Sequence, residues 1–236
     1  MRPCFFPLCL AGLLFCIGCD RLPGKPTAAD IELKPQQVRD FAALYRQNCS
    51  GCHGRDGKGN GALALNNPIY LAMAPDGVLR HTTSLGVRGT MMPAFLKSAG
   101  GTLTEEQIEI LVSEMRARWS RPEQLRGAVP PPYAGETPGN VQSGAGVYGA
   151  FCASCHGADG KGDPKGSSIV DRSYLALVSD QGFRTLIIAG RRDLHHPDWR
   201  DYVPGHAMTA QEVTDVVAWL TSKRVANPGQ PYAKRE

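Results

Sequence analysis

Two stretches of the chain carry apolar residues at helical spacing. Ile108, Leu111, Val112 and Met115 fall at i, i+3, i+4 and i+7, and so do Val213, Val216, Val217 and Leu220. That is the stripe by which an amphipathic helix packs on a core. Each stripe follows a capping-box sequence, Thr104 with Gln107 and Thr209 with Glu212, in which threonine and the residue three later satisfy each other's backbone N–H groups. Shorter clusters, Phe41-Leu44-Tyr45 and Val147-Tyr148-Phe151, predict short helices leading into a cysteine pair. A third apolar run, Phe5 to Ile17, is continuous, with Arg2 the only charge before Asp20. It has the length of a signal-peptide core and falls short of the ~20 residues a membrane span needs.

Polar and proline-rich segments divide these patterns. Residues 1–18 read as a leader and 19–37, with three prolines, as a tether. Residues 38–120 and 140–226 read as two domains, and 227–236 as a tail. Between the domains, 121–139 include Pro130-Pro131-Pro132, a semi-rigid spacer. A length of 236 residues allows one large domain or two small ones. At 42% hydrophobic and 20% charged the chain is not a disordered one. The net charge of +4 is scattered, with no Lys/Arg-rich run, so nucleic acid is not an expected partner.

Cysteine spacing carries the chemistry. Beyond residue 19 the cysteines lie in two copies of one pattern, Cys49-Ser-Gly-Cys52-His53 and Cys152-Ala-Ser-Cys155-His156. Cys-x-x-Cys-His is the c-type haem attachment sequence: each thiol adds to a porphyrin vinyl group, and the adjacent His takes one axial position on the iron. Zinc would want further Cys or His at matching spacing, and a redox disulfide has no use for the His. The copies belong to a longer repeat. CHGRDGKGNG parallels CHGADGKGDP, Tyr45 matches Tyr148, Tyr70 matches Tyr174, Arg80 matches Arg184 and Gly86 matches Gly190.

On these motifs each half resembles a class I cytochrome c domain, and the chain resembles a tandem dihaem c-type cytochrome. The resemblance implies an all-α fold of short helices and loops around two covalent c-type haems. It also implies a sixth iron ligand late in each half, usually a Met before Pro. In the first half that is Met92, directly before Pro93, with Met91 turned away and Met73 packing on a helix. Register from Gly86/Gly190 sets Met92 opposite His196, so His156 and His196 are the expected pair on the second iron; His195 and Met208 are the rivals. The iron ligands are then His53, Met92, His156 and His196. His81 and His206 read as surface or hydrogen-bonding residues. Arg80, Arg88, Arg184 and Arg192 are either surface arginines or partners of haem propionates. Thioether sulfur favours Fe(II), so a Met/His haem lies above a His/His one and electrons would be favoured to run from the second haem to the first.

Ile17-Gly18-Cys19 resembles a bacterial lipoprotein signal, which implies export, a lipid on Cys19 and a place on the periplasmic face of the inner membrane; a soluble periplasmic or outer-membrane protein is the alternative. The expected function is one-electron transfer, without catalysis, between respiratory-chain or exported dehydrogenase and oxidase partners. The alternatives are a dihaem enzyme, such as a peroxidase or a thiosulfate dehydrogenase, and a fixed haem subunit of a larger respiratory complex. Thiosulfate dehydrogenases resemble this layout but use an axial Cys, which this chain lacks beyond its leader outside the attachment pairs and Cys19.

Overall fold

A computed structural model describes residues 32–59, 61–226 and 228. The leader, Cys19, the tether as far as residue 31 and nearly all of the tail lie outside the described residues. Among those described, ten α-helices and no strands occur. The first five are α1 (Phe41–Asn48), α2 (Ser50–His53), α3 (Pro68–Met73), α4 (Asp76–Leu85) and α5 (Glu105–Trp119). The second five are α6 (Val141–Phe151), α7 (Ala153–His156), α8 (Arg172–Leu177), α9 (Asp180–Ala189) and α10 (Ala210–Thr221). The two sets repeat in order and nearly in length.

Local chemistry starts these helices where the sequence signals them. Asp40 and Asn140 cap α1 and α6, Asn67 and Asp171 cap α3 and α8, and both capping boxes form at α5 and α10. Each such cap contributes about 1 kcal/mol. The striped faces are buried as expected: Ile108, Leu111, Val112 and Met115 in the first half, Val213, Val216, Val217 and Leu220 in the second. In the first half α5 packs on α1 and α4, and in the second α10 packs on α6 and α9.

The α1–α5 and α6–α10 contacts are built differently. Phe41 stacks on Tyr45 with ring centres 5.6 Å apart, and Trp119 meets Tyr45 edge-on at 5.2 Å. Gly144 stands where the repeat puts Phe41, and a side chain there would collide with the Asp215 carbonyl oxygen at 2.0 Å. The missing side chain lets α6 and α10 close up, and Trp219 stacks face-on to Tyr148 at 4.2 Å.

The described residues from Val38 onward form one compact unit, and the segment between the halves is bound along its length. The Arg184 guanidinium donates to the carbonyls of Pro132 (2.8 and 3.0 Å) and Tyr133 (3.1 Å) and to Thr214 Oγ1 (2.9 Å). Gln181 Nε2 donates to Tyr133 O at 2.8 Å, and Arg200 Nη1 to the Gln124 and Leu125 carbonyls at 3.2 and 3.0 Å. The proline-rich stretch is thus a docked strap where the sequence suggests a spacer. Directly across the halves, α3 packs on α9, and the buried Asn67 Nδ2 donates to Ala189 O at 2.9 Å. Among the described residues no helix is long and apolar enough to cross a membrane.

Candidate functional site

Both cysteine motifs sit at the same joint. The backbone N–H of Cys49 closes α1 on Tyr45 O, that of Cys152 closes α6 on Tyr148 O, and the one-turn helices α2 and α7 then carry the remaining Cys and His. The joint is pinned from behind: Tyr45 donates its hydroxyl to Gly54 O at 2.9 Å, and Tyr148 does the same to Gly157 O. Cys52 and Cys155 are exposed while Cys49 and Cys152 are half-buried. Burial pushes both half-buried thiols up to about 12, so neither is a reactive thiolate in the bare polypeptide.

The two histidines of the motifs are oriented alike. His53 Nδ1 lies 2.8 Å from Leu63 O and His156 Nδ1 2.7 Å from Ser167 O. A carbonyl accepts only from an N–H, so the proton sits on Nδ1 and Nε2 keeps its lone pair. This is the arrangement by which proteins fix a metal-binding imidazole.

Opposite each histidine the loops keep a common frame. Gly86 and Gly190 end α4 and α9 at φ 72° and 67°, in a region close to glycine-only. A Cβ at either would meet the Met92 or the Pro197 carbonyl oxygen at 2.5 or 2.6 Å. The next N–H in each half, from Val87 or Arg191, donates to Met92 O (3.0 Å) or His196 O (3.1 Å). The backbone therefore sets Met92 opposite His196, the register counted along the repeat. Met91 is 92% exposed and Met73 is buried on α3. Between them Met92 is half-buried.

The second half holds an open cavity of about 230 Å³, lined among others by Cys152, Cys155, His156, His196 and Tyr202. The imidazoles of His156 and His196 have ring centres 6.2 Å apart and planes tilted at 49°. A ligating nitrogen stands about 2.0–2.1 Å from a metal and its ring centre roughly 1.1 Å farther, so two imidazoles on opposite sides of one metal have centres about 6.3 Å apart. Nδ1 of His196 is buried without a hydrogen-bond partner. Burial first, then His156, hold the His196 pKa below the usual range, keeping the ring neutral as a metal ligand must be. These residues fit a haem. The rivals are placed elsewhere: His195 is exposed, and Met208 is buried in the core, outside the cavity lining.

Several of the remaining candidates are engaged within the protein. Arg80 pairs with Glu109 at 3.0 Å, Arg184 holds the strap and Arg192 donates to Gln124 Oε1 at 2.9 Å. His81 is exposed, and His206 Nε2 lies 3.1 Å from Glu212 Oε1. One pair escapes a sequence reading. Arg116 binds Leu71 O, Ala74 O and Asp76, and Arg224 binds the equivalent Leu175 O, Val178 O and Asp180. Counted from the capping threonines the two arginines are three residues out of register, one helical turn, so alignment of the halves hides their equivalence.

Comparison with known proteins agrees with the repeat. Residues 36–113 match the family described as cytochrome c oxidase, cbb3-type, subunit III, and residues 141–223 match the cytochrome c family. Similar whole proteins include the cbb3-type cytochrome c oxidase subunit FixP of Sinorhizobium medicae, 32% identical over 57% of this chain and 44% of the relative. FixP of Azorhizobium caulinodans is 30% identical over 57% and 44%, and that of Rhizobium meliloti 29% over 66% and 52%. The chain spans about half the length of these relatives. A chain of the Kuenenia stuttgartiensis reducing HAO-like protein complex is similar at 18% identity and a TM-score of 0.44, covering 83% of this chain and 100% of that one; at that score the likeness carries no weight. The protein is a tandem of two cytochrome c-type domains, which implies two covalently attached c-type haems.

Proposed function

We propose that this chain transfers single electrons as a membrane-associated dihaem cytochrome c, working with a respiratory oxidase. The haem irons supply reversible one-electron chemistry. Cys49 and Cys52 would hold the first haem and Cys152 and Cys155 the second, with His53 and Met92, and His156 and His196, as the axial pairs. The protein's part is rigidity. Carbonyls of Leu63 and Ser167 fix the two motif histidines, and Gly86 and Gly190 fix the loops opposite. With both axial positions filled from the chain, little rearranges when the charge of a centre changes. The similarity to cbb3-type oxidase subunits supports an oxidase as partner. With propionates offsetting a modest positive charge, docking would rest on local patches rather than a strong overall field. A lipid on Cys19 would tether the protein to the periplasmic face of a membrane.

The spacing of the His156 and His196 imidazoles carries this reading, because an enzyme would need an iron that opens to substrate. His196→Met tests it by spectroscopy of the purified holoprotein. Loss of a bis-His low-spin signal with gain of a second Met-ligated one is the expected result, and an unchanged spectrum removes the assignment.

A further inference from the structure

Tyr202 lies on the loop from His196 to α10, and its ring meets the His196 imidazole edge to face, centres 5.5 Å apart and planes at 80°. The tyrosine is itself anchored. Its hydroxyl donates to Ile187 O at 3.0 Å, a carbonyl in the last turn of α9. The helical partner of that carbonyl would be the N–H of Arg191, which goes to His196 O instead. One short network thus fixes the His196 backbone through Arg191 and the Tyr202 ring through Ile187.

The His196 side chain needs such a wall. His156 is locked about its own axis by Ser167 O, but His196 has no polar partner on its buried Nδ1. Its rotation is then set by what the ring leans on. The first half has no equivalent: between Phe95 and Leu103 no aromatic residue follows Phe95. A thioether such as Met92 has no plane to orient.

We propose that Tyr202 is a positioning residue, setting the rotation of the His196 imidazole against that of His156 and through it the electronic asymmetry of the second centre. The inference rests on His196 being an axial ligand. The angle between two axial imidazole planes governs the splitting of the iron dπ orbitals, and the spread of g-values in the oxidised state reports it.

The test is electron paramagnetic resonance of the oxidised holoprotein, with haem content measured alongside. Tyr202→Leu, which removes the ring, is expected to shift the g-spread of the bis-His signal. The Met-ligated signal and the content of two haems should not change. Tyr202→Met fills much of the same space without a ring and should shift the spread as well, so the test survives if Leu impairs maturation. Tyr202→Phe keeps the ring and should restore most of the wild-type spread. Wild-type g-values in Tyr202→Leu or Tyr202→Met would overturn the positioning role while leaving the ligand assignment intact. Absence of any bis-His signal in the wild type would overturn the ligand assignment and this inference with it.

Discussion

The two halves solve one folding problem with different side chains. Both run through five helices in the same order, both pin the Cys-x-x-Cys-His turn with a tyrosine hydroxyl, and both hold the opposite loop on a glycine that admits no side chain. They part where each meets something else. Arg80 spends its charge on Glu109 at the surface, while its counterpart Arg184 is 4% exposed and grips the strap. Asn67 and Asp171 cap equivalent helices, but only an amide can accept from the N–H groups of its own helix and still donate to Ala189 O across the halves. The last carbonyls of α9 show the same division: Ile187 O receives Tyr202, Ile188 O receives the N–H of Trp199, and Ala189 O receives Asn67. Helix ends leave such groups without intrahelical partners. In the second half these ends are where the loop that carries His196 and the neighbouring domain attach. Repetition thus fixes the frame of each site, and one group of differences lies where the halves join.

The largest effect should come from the helix pairs that were built differently. Phe41→Ala removes a buried ring between α1 and α5 and should cost about 3–5 kcal/mol. Gly144→Ala forces a methyl against the Asp215 carbonyl and should cost about 1–3 kcal/mol through overpacking. Guanidinium unfolding of the holoprotein, followed in the Soret band, measures both. A neutral or stabilising Gly144→Ala would contradict the close approach of α6 and α10.

The next contrast is between the two caps. Asn67→Asp keeps the acceptor for Ile69 and Tyr70 but loses the donor to Ala189 and brings a carboxylate to a buried carbonyl, at a cost of about 1–3 kcal/mol. Limited proteolysis should then cut the 121–139 strap faster, with both haem spectra unchanged. The exposed Asp171→Asn should change little, since either residue caps well.

The smallest contrast is in acid. Burial opposes ionisation of Glu212, but hydrogen bonds from Thr209 and the nearby His206 outweigh it and hold the carboxyl below its usual range. A carboxylate with a depressed folded pKa stabilises fully above its unfolded value near about 4.3 and loses that contribution as pH falls through the folded value. Gln107, its counterpart in the first half, does not titrate. Melting temperatures below about pH 4.3 should therefore fall less steeply with acid in Glu212→Gln than in the wild type. Parallel curves would show that Glu212 is not the group responsible.

The chemistry of this protein was legible along the chain because haem attachment is local. Cys49, Cys52 and His53 lie within about one turn of backbone, and the capping boxes and striped helices are likewise set by neighbours three or four residues away. The register of Met92 against His196 was readable too, since the glycine that fixes each loop lies only a few residues before it. Other features belong to tertiary structure alone. Arg80 and Arg184 are the same letter at the same place in the repeat. Their destinations differ because a buried guanidinium goes wherever unpaired carbonyls lie, and only the fold brings Pro132 and Tyr133 to Arg184. Arg116, on α5, and Arg224, three residues past the end of α10, are out of register and still reach matching groups, since a long side chain can enter one site from two backbone positions. Asn67 and Ala189 stand 122 residues apart. Their hydrogen bond depends on two packed surfaces meeting, which no local pattern encodes.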